Sequence, residues 1–174
     1  MNVTEPGVDV VIPCFNGERY LAETLDSALG QTYRPLRVLV VDDGSTDGTR
    51  RLVESYGDRV AYVHKDNGGQ ASARNVGIAR TGGEYVYLLD ADDLLLPGAV
   101  ERLVGCLESR PEADFVHGRQ LAFPGSDSVH PRAEPDDEIR GVDAERRGRD
   151  GRDGETADRP HAELRWVVRG ADRA

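Results

Sequence analysis

The sequence contains few of the residues that mark disulfide-rich or zinc-binding proteins. Its 174 residues include two cysteines and four histidines. Cys14 and Cys106 lie far apart and form no CxxC pair, so we expect two reduced, mostly buried thiols. The histidines do not have the spacing of zinc ligands. Neither a disulfide framework nor a zinc site is therefore expected to hold the fold.

Long apolar segments are also missing. No run approaches the ~20 apolar residues that a membrane-spanning helix needs. Residues 1–6 have neither the basic region nor the apolar region of a signal peptide. We therefore expect a cytoplasmic protein without a transmembrane segment.

Basic side chains are outnumbered by acidic ones. The sequence has 22 Lys and Arg against 32 Asp and Glu, a formal net charge of −10. Nucleic acids and anionic lipid surfaces repel such a chain, so we expect neither as a partner. Carboxylates do suit a divalent cation, and the cation can then bind phosphate.

The composition changes near Pro124, which divides the chain into regions 8–123 and 124–174. Residues 130–174 are mostly Arg, Asp, Glu, Gly, Ala and Pro. Their sizeable apolar residues are Ile139, Val142, Leu164, Trp166, Val167 and Val168. Because so little apolar area cannot offset the entropy of ordering, we predict a low-complexity, disordered tail. A short helix or strand near 164–168 is the open alternative.

Before residue 124, apolar stretches alternate with polar turns. We predict strands at 8–13, 36–41, 60–64, 84–89, 113–116 and 120–123. We predict helices at 18–31, after 49, at 71–80 and from 97 onward. This alternation predicts an α/β fold with a mostly parallel, Rossmann-like sheet flanked by helices. Ligands of such sheets bind outside the carboxyl ends of the strands, so residues that follow strands are the candidates for a site.

Two adjacent carboxylates, Asp42 and Asp43, directly follow the second predicted strand. Asp43, Ser45 and Asp47 are also ordinary turn and helix-capping residues, and capping explains one of them. Because capping does not explain the adjacent pair, we interpret Asp42 and Asp43 as acceptors for a base N–H or for ribose hydroxyls.

Three acidic residues, Asp90, Asp92 and Asp93, follow the fourth predicted strand. Side chains two apart in an extended chain point to the same side, so Asp90 and Asp92 are expected to converge on one cation or one ribose. Two carboxylates with phosphate oxygens and waters suit Mg²⁺ or Mn²⁺. A solvated acidic loop that caps the next helix is the alternative, although its charges would repel one another without a counter-ion.

Two further residues have a functional and a structural interpretation. Phe15 follows the first strand and could stack on a base, although burial in the core is the commoner fate of such a side chain. Arg74 lies on a short predicted helix, where pairing with phosphate and a surface salt bridge are equally good explanations.

Taken together, the motifs resemble the N-terminal half of family 2 glycosyltransferases across residues 8–123. The matching segments, in order, are 11–17 (VIPCFNG), 29–33 (LGQTY), 40–47 (VVDDGSTD), 67–69 (NGG), 73–77 (ARNVG) and 89–93 (LDADD). The joint order and spacing are far more specific than any single motif, since an isolated DxD is frequent by chance.

The resemblance implies a GT-A-like fold and inverting transfer of a sugar from a nucleotide-diphosphate sugar, with UDP as the expected nucleotide, to an acceptor hydroxyl with Mg²⁺ or Mn²⁺. It implies sites for the nucleotide sugar and for the metal. The nucleotide-sugar residues are Pro13, Phe15 near the base, Asp42 and Asp43 on the base or ribose, Arg74 near the diphosphate, and Asp90 near the ribose. The metal residues are Asp92 and Asp90.

The sequence departs from the family where the catalytic base is expected. That base usually comes from an acidic motif in the second half of the family domain, and nothing after residue 123 aligns. The catalytic residue is therefore left unassigned, and the acceptor with it. We expect an incomplete domain over 8–123 whose uncovered sheet favours weak self-association. A truncated, non-catalytic nucleotide-sugar-binding protein is the alternative to an enzyme.

Other α/β classes fit less well. A phospho-acceptor receiver domain needs a lysine after a late strand, whereas the one lysine here, Lys65, precedes Asp90. A dehalogenase-like phosphatase has its DxD after the first strand. A dinucleotide oxidoreductase needs G-x-G-x-x-G after a strand, and the sequence has none.

Overall fold

The computed structural model of the protein describes residues 6–118 and 166–169. These ranges contain the strands β1 (Val8–Cys14), β2 (Leu36–Asp42), β3 (Val60–His64), β4 (Tyr85–Leu88), β5 (Phe115–His117) and β6 (Trp166–Arg169). They contain the helices α1 (Leu21–Leu29), α2 (Thr49–Glu54), α3 (Gln70–Ile78) and α4 (Ala99–Glu108).

The strands form a single sheet in the order β3-β2-β1-β4-β6-β5. β1 is parallel to β2 and to β4, and β2 is parallel to β3. β6 is antiparallel to both of its neighbours, β4 and β5. The predicted α/β fold with a mostly parallel sheet flanked by helices is therefore confirmed.

The central strand β1 is buried on both faces, which explains why its sequence is almost entirely apolar, with Asp9 as the one charged residue. Successive side chains of a strand point to opposite faces. Val10 and Ile12 accordingly pack in the core with residues of α1 and α4, such as Leu25 and Leu103. Val11 packs on the opposite face in a smaller core under α3.

The observed elements differ from the predicted ones mainly at their ends. The helix predicted at 18–31 covers only Leu21–Leu29, and the strand predicted at 84–89 covers Tyr85–Leu88. The strand predicted at 120–123 lies outside the described residues. The longest described helix, α4, has ten residues. In the described ranges, no helix has the length and apolar character needed to cross a membrane.

Four residues of the predicted tail belong to the sheet. β6 lies between β4 and β5, with Val167 opposite Tyr87, and the Val167 side chain is fully buried. For Trp166–Arg169 the alternative of a short strand near 164–168 therefore holds in place of disorder, while the rest of 124–174 lies outside the described residues. The average composition of residues 130–174 did not indicate this strand, because its short apolar run stands within a polar region. The edge of β4 satisfies the backbone hydrogen bonds of that run.

Candidate functional site

A cavity of about 370 Å³ opens at the carboxyl ends of β1, β2 and β4. This is where ligands of parallel α/β sheets bind. The lining residues come from the segments after these strands and from the start of α3. They are Pro13, Cys14, Phe15, Asn16, Gly17, Tyr20, Asp43, Gln70, Ala73, Asp90, Ala91 and Asp92.

Hydrogen bonds join the loop after β1 to the loop after β2, and these bonds fix the floor of the cavity. The backbone N–H of Asn16 donates to Ser45 Oγ at 2.8 Å, and the N–H of Thr46 donates to Asn16 Oδ1 at 2.9 Å. The N–H of Gly17 donates to Thr49 Oγ1 at 2.9 Å. Asn16 has a positive φ of 52°, a conformation that asparagine tolerates better than most residues.

Asp42 ends β2 and is turned into the protein. Its side chain is 1% exposed and accepts hydrogen bonds from Tyr62 Oη at 2.5 Å and from the N–H of Ser45 at 2.8 Å, with His64 Nδ1 at 3.3 Å. Burial raises the pKa of Asp42, but these hydrogen bonds together lower it by more than burial raises it. The pKa of Asp42 therefore lies below its ordinary value. The sequence predicted that Asp42 lies beside the nucleotide, but Asp42 is not among the residues that line the cavity.

Asp43 does line the cavity, and its carboxylate binds the glycine loop that precedes α3. The N–H groups of Gly68 and Gly69 donate to it at 3.0 and 2.7 Å, and the Lys65 ammonium forms an ion pair with it. Burial raises the pKa of Asp43, while Lys65 and the two amides lower it more strongly, with a net shift below the ordinary value. Asp43 thus fixes the loop that forms one wall of the cavity.

Asp90 lies two residues beyond the end of β4 and contacts α3. Its Oδ1 accepts hydrogen bonds from Arg74 Nη2 at 2.6 Å and from Gln70 Nε2 at 3.0 Å. Gln70 and Arg74 are four residues apart in α3, so they share one face of the helix. The sequence placed Arg74 near the diphosphate; in the structure it contacts Asp90 but is not among the lining residues, and its Nε is buried without a hydrogen-bond partner among the described residues.

Asp92 is the exposed carboxylate of the cavity, and no hydrogen bond or ion pair holds it within the described part of the chain. The sequence-based prediction that Asp92 and Asp90 converge assumed an extended backbone from Asp90 to Asp92. The structure has a turn instead, in which the N–H of Asp93 donates to the carbonyl of Asp90 at 3.2 Å. The assumption was therefore wrong, although both carboxylates do line the same cavity.

Two aromatic side chains at the cavity are unusually exposed. Phe15 is 54% exposed and Tyr20 is 44% exposed, and within the described ranges Ile78 is the other large apolar residue with comparable exposure. Phe15 is therefore available for stacking rather than buried in the core. Tyr20, next to the start of α1, carries the Arg19 guanidinium 4.9 Å from its ring centre.

Cys14 closes the inner end of the cavity as a buried, reduced thiol. Burial, with a smaller contribution from Asp42, raises the pKa of the Cys14 thiol to about 12. The thiol therefore stays protonated at neutral pH and is a poor nucleophile or metal ligand. Cys106 is also a free thiol, partly buried, as the sequence predicted for both cysteines.

The carboxylates that reach the cavity suit a hard divalent cation that is only partly bound by protein. Within the described ranges, no three His, Cys, Asp or Glu side chains come together as a metal-binding group. Among the carboxylates that line the cavity, Asp90 and Asp92 both come from the segment after β4, whereas Asp43 is bound by the glycine loop. Mg²⁺ and Mn²⁺ accept such a partial set when phosphate oxygens and waters complete the shell.

Three residues of the site were missed by sequence reasoning. Tyr20 lies in the polar start of a helix, which gave it no signal. Lys65 is 22 positions from its partner Asp43, and only folding brings the two together. Gln70 was given no role from the sequence, although its spacing of four from Arg74 was a signal that could have paired both residues with one acceptor.

Comparison with known proteins gives this chain clear relatives. The profile of glycosyl transferase family 2 matches residues 9–162. An uncharacterized glycosyltransferase of Rickettsia typhi is 42% identical over 115 residues, which are 66% of this chain and 36% of the relative. Glycosyltransferase GlyG of Streptococcus pneumoniae serotype 4 is 35% identical over 124 residues, 69% of this chain and 41% of that protein. The chain thus spans well under half the length of these curated relatives.

Solved structures share the fold. S. aureus TarS 1-349 in complex with UDP-GlcNAc has a TM-score of 0.59 at 28% identity, covering 67% of this chain and 37% of that one. The mannosyltransferase PcManGT from Pyrobaculum calidifontis, in complex with GDP-Man and Mn²⁺, has a TM-score of 0.61 at 30% identity, covering 68% of this chain and 37% of that one. The GT-A-like fold that the motifs implied is confirmed.

Proposed function

The chain belongs to glycosyl transferase family 2, and we propose that it binds a nucleotide-diphosphate sugar with Mg²⁺ or Mn²⁺ and transfers the sugar, with inversion, to an acceptor hydroxyl. The observation that carries this proposal is the free carboxylate of Asp92, which shares one cavity with Asp90 and with the exposed ring of Phe15. A metal-bound diphosphate requires free carboxylate oxygens to hold the metal, and a stacked base requires an exposed aromatic ring.

The proposal assigns the nucleotide to the part of the cavity formed by β1 and β2. Phe15 stacks on the base, and Pro13 and Asp43 line the space beside it. TarS was solved with UDP and UDP-GlcNAc, and PcManGT with GDP-Man, so a uridine or guanosine nucleotide fits this family of folds. UDP remains our expectation. Asp42 has a structural role and does not bind the nucleotide, because its carboxylate accepts hydrogen bonds from Tyr62 and Ser45.

The proposal assigns the diphosphate and the metal to the β4 side of the cavity. Asp92 is the principal ligand, since its carboxylate is exposed and unpaired in the described chain. Asp90 contributes through the oxygen that Gln70 and Arg74 leave free. Arg74 acts through Asp90, to which its guanidinium donates at 2.6 Å, and so holds that carboxylate at the cavity. Mn²⁺ in the PcManGT complex supports the choice of ion.

In the mechanism, this chain binds and orients the donor. The nucleotide diphosphate gains negative charge as the bond to the sugar breaks, and a bound divalent cation stabilises that charge. Arg74, paired with Asp90 at 2.6 Å, keeps that carboxylate oriented at the cavity. The acceptor hydroxyl must lose a proton to a base as it attacks from the opposite face of the sugar.

A second candidate function is nucleotide-sugar binding without transfer. Of the carboxylates that line the cavity, Asp43 is fully engaged with Lys65, Gly68 and Gly69, and Asp90 is engaged with α3. Asp92 is assigned to the metal, so no described residue is assigned as the base. General-base catalysis typically contributes ~10²–10⁴-fold, so its loss would leave binding intact and transfer slow.

A parallel measurement of binding and transfer tests both functions. UDP, GDP and their sugar conjugates are titrated with Mn²⁺ or with chelator, and transfer to simple sugar and alcohol acceptors is followed with the anomeric configuration read by NMR. The proposal predicts metal-dependent binding and an inverted product. Binding without any transfer supports the second candidate, and absence of binding to every nucleotide contradicts both.

Self-association and a cytoplasmic location, expected from the sequence, stay predictions. A concentration series by light scattering tests the first.

A further inference from the structure

The loop that carries Asp90 and Asp92 is bonded to one edge of α1. Thr24 Oγ1 donates to the carbonyl of Ala91 at 2.9 Å. The N–H of Leu95 donates to Ser27 Oγ at 3.0 Å. Gln31, two residues beyond the helix end, donates to the carbonyl of Leu96 at 3.0 Å and accepts from the N–H of Val100 at 3.2 Å. We call Thr24, Ser27 and Gln31 the α1 polar edge.

These bonds are not incidental surface contacts. Thr24 is fully buried on α1, whose other buried side chains, such as Leu21 and Leu25, are apolar. Gln31, just past the helix end, is 2% exposed, and Ser27 between them is partly buried. A buried polar group costs free energy unless it is hydrogen-bonded, so Thr24 and Gln31 are held to their partners.

The hydrogen bond from Thr24 to the Ala91 carbonyl fixes the backbone between Asp90 and Asp92. Ala91 stands between Asp90 and Asp92, and its carbonyl belongs to the same peptide unit as the N–H of Asp92. Because that unit is planar, fixing the oxygen fixes the orientation in which Asp92 leaves the loop. The Thr24 hydroxyl has one proton, and its 3.5 Å distance to the carbonyl of Tyr20 is too long to compete with the bond of 2.9 Å.

We infer that Thr24 is a positioning residue for the metal-binding carboxylates: through the Ala91 carbonyl it holds Asp92 in the orientation in which it binds a divalent cation beside Asp90. Ser27 and Gln31 fix the continuation of the same loop. This inference rests on the proposed metal-assisted site, but the conformation of the loop can be measured without any ligand.

Thr24→Val tests the inference, because valine keeps the shape of the side chain and removes the donor. Thr81→Val is the matched control: the Thr81 hydroxyl also donates to a backbone carbonyl, that of Ile78 at 2.8 Å, at the opposite end of the sheet. In the full chain without ligand, deuterium exchange of the backbone amides of residues 91–96 should be faster in Thr24→Val and unchanged in Thr81→Val. Unchanged exchange in Thr24→Val overturns the inference.

The second readout is the dependence of UDP binding on Mn²⁺. Thr24→Val should weaken binding in Mn²⁺ roughly five- to tenfold, the equivalent of one lost hydrogen bond, and leave binding in chelator unchanged. Added to Asp92→Asn, it should cause no further loss, since it acts through Asp92. An equal loss with and without metal, or additive losses, would show a merely structural role and overturn the inference. If exchange of residues 91–96 is faster in Thr24→Val but the wild type binds no nucleotide, the proposed function is refuted while the role of Thr24 in holding the loop stands.

Discussion

The carboxylates of Asp42 and Asp43, adjacent in the chain, hold different segments of the protein. Asp42 accepts a hydrogen bond from Tyr62 in β3 at 2.5 Å, whereas Asp43 accepts one from the N–H of Gly69 at 2.7 Å and pairs with Lys65. Adjacent residues at the end of a strand point to opposite sides, so one carboxylate supports the sheet and the other supports the wall of the cavity.

Asp43 should make the stability of the protein sensitive to acid. Its pKa is lowered in the folded state, so the stability it contributes is fully present above the unfolded pKa of about 3.9 and is lost as the pH falls through the folded pKa. Asp43→Asn should cost roughly 2 kcal/mol at pH 7 through weakened charged hydrogen bonds. Urea unfolding should show this difference narrowing below pH 4.

The exposed Asp58, two residues before β3, provides the control for this prediction. Asp58→Asn should leave the free energy of unfolding within about 0.5 kcal/mol of the wild type at both pH values. A wild-type advantage over Asp43→Asn that stays constant from pH 7 to pH 3 would contradict the assignment of Asp43 as an ionised anchor.

The packing of α3 on β1 leaves no room for a side chain at Gly77. A Cβ there would lie 2.2 Å from Val11 Cγ1 and 3.2 Å from Val41 Cγ2, so Gly77→Ala must displace the helix that carries Arg74. We expect a loss of about 1–3 kcal/mol and weaker nucleotide binding. Gly105→Ala in α4, where a Cβ meets nothing within 4 Å, should instead stabilise by up to ~1 kcal/mol. Equal effects of the two changes on thermal unfolding would refute this packing.

Phe15 should contribute to nucleotide affinity far more than to stability. Its ring is 54% exposed, so Phe15→Ala should change the free energy of unfolding little. If the ring stacks on the base, the same change should weaken UDP binding roughly tenfold or more, and Phe15→Tyr should keep most of the affinity. Ile78→Ala, at a residue 42% exposed on α3, is the control and should leave binding unchanged. Similar affinities for wild type and Phe15→Ala would exclude stacking.

Much of the fold could be predicted from the sequence because its signals are local. The mostly apolar run of β1 predicts a strand buried on both faces, and the spacing of Val100, Leu103, Val104 and Leu107 predicts the buried face of α4. The position of the cavity followed from the rule for parallel sheets, so Phe15, Asp90 and Asp92 were found.

The remaining features depend on contacts between distant residues. The inward orientation of Asp42 depends on Tyr62, 20 positions away, and the pairing of Asp43 depends on Lys65, 22 positions away. The turn at Asp90 depends on α1, because Thr24 holds the Ala91 carbonyl from 67 positions away. β6 depends on the edge of β4. Neither periodicity nor composition reports such contacts.

Asp90 and Asp92 should contribute differently to metal-dependent binding. Asp92→Asn should abolish the Mn²⁺ dependence while the fold stays intact, because no described residue relies on that carboxylate. Asp90→Asn should reduce that dependence less. It should also lower stability, since it weakens the contact with Arg74 at 2.6 Å. Calorimetric titration combined with thermal unfolding separates the two effects, and identical profiles for both variants would contradict the assignment.

A calorimetric titration of UDP and GDP, with Mn²⁺ or with chelator, is the decisive test of a metal-assisted nucleotide site at Asp92. We expect wild type and the exposed control Asp58→Asn to bind one of these nucleotides more tightly in Mn²⁺, and Asp92→Asn to bind it with the same affinity in Mn²⁺ and in chelator. Binding by the wild type that is insensitive to chelator, or an undiminished response to Mn²⁺ in Asp92→Asn, would contradict it.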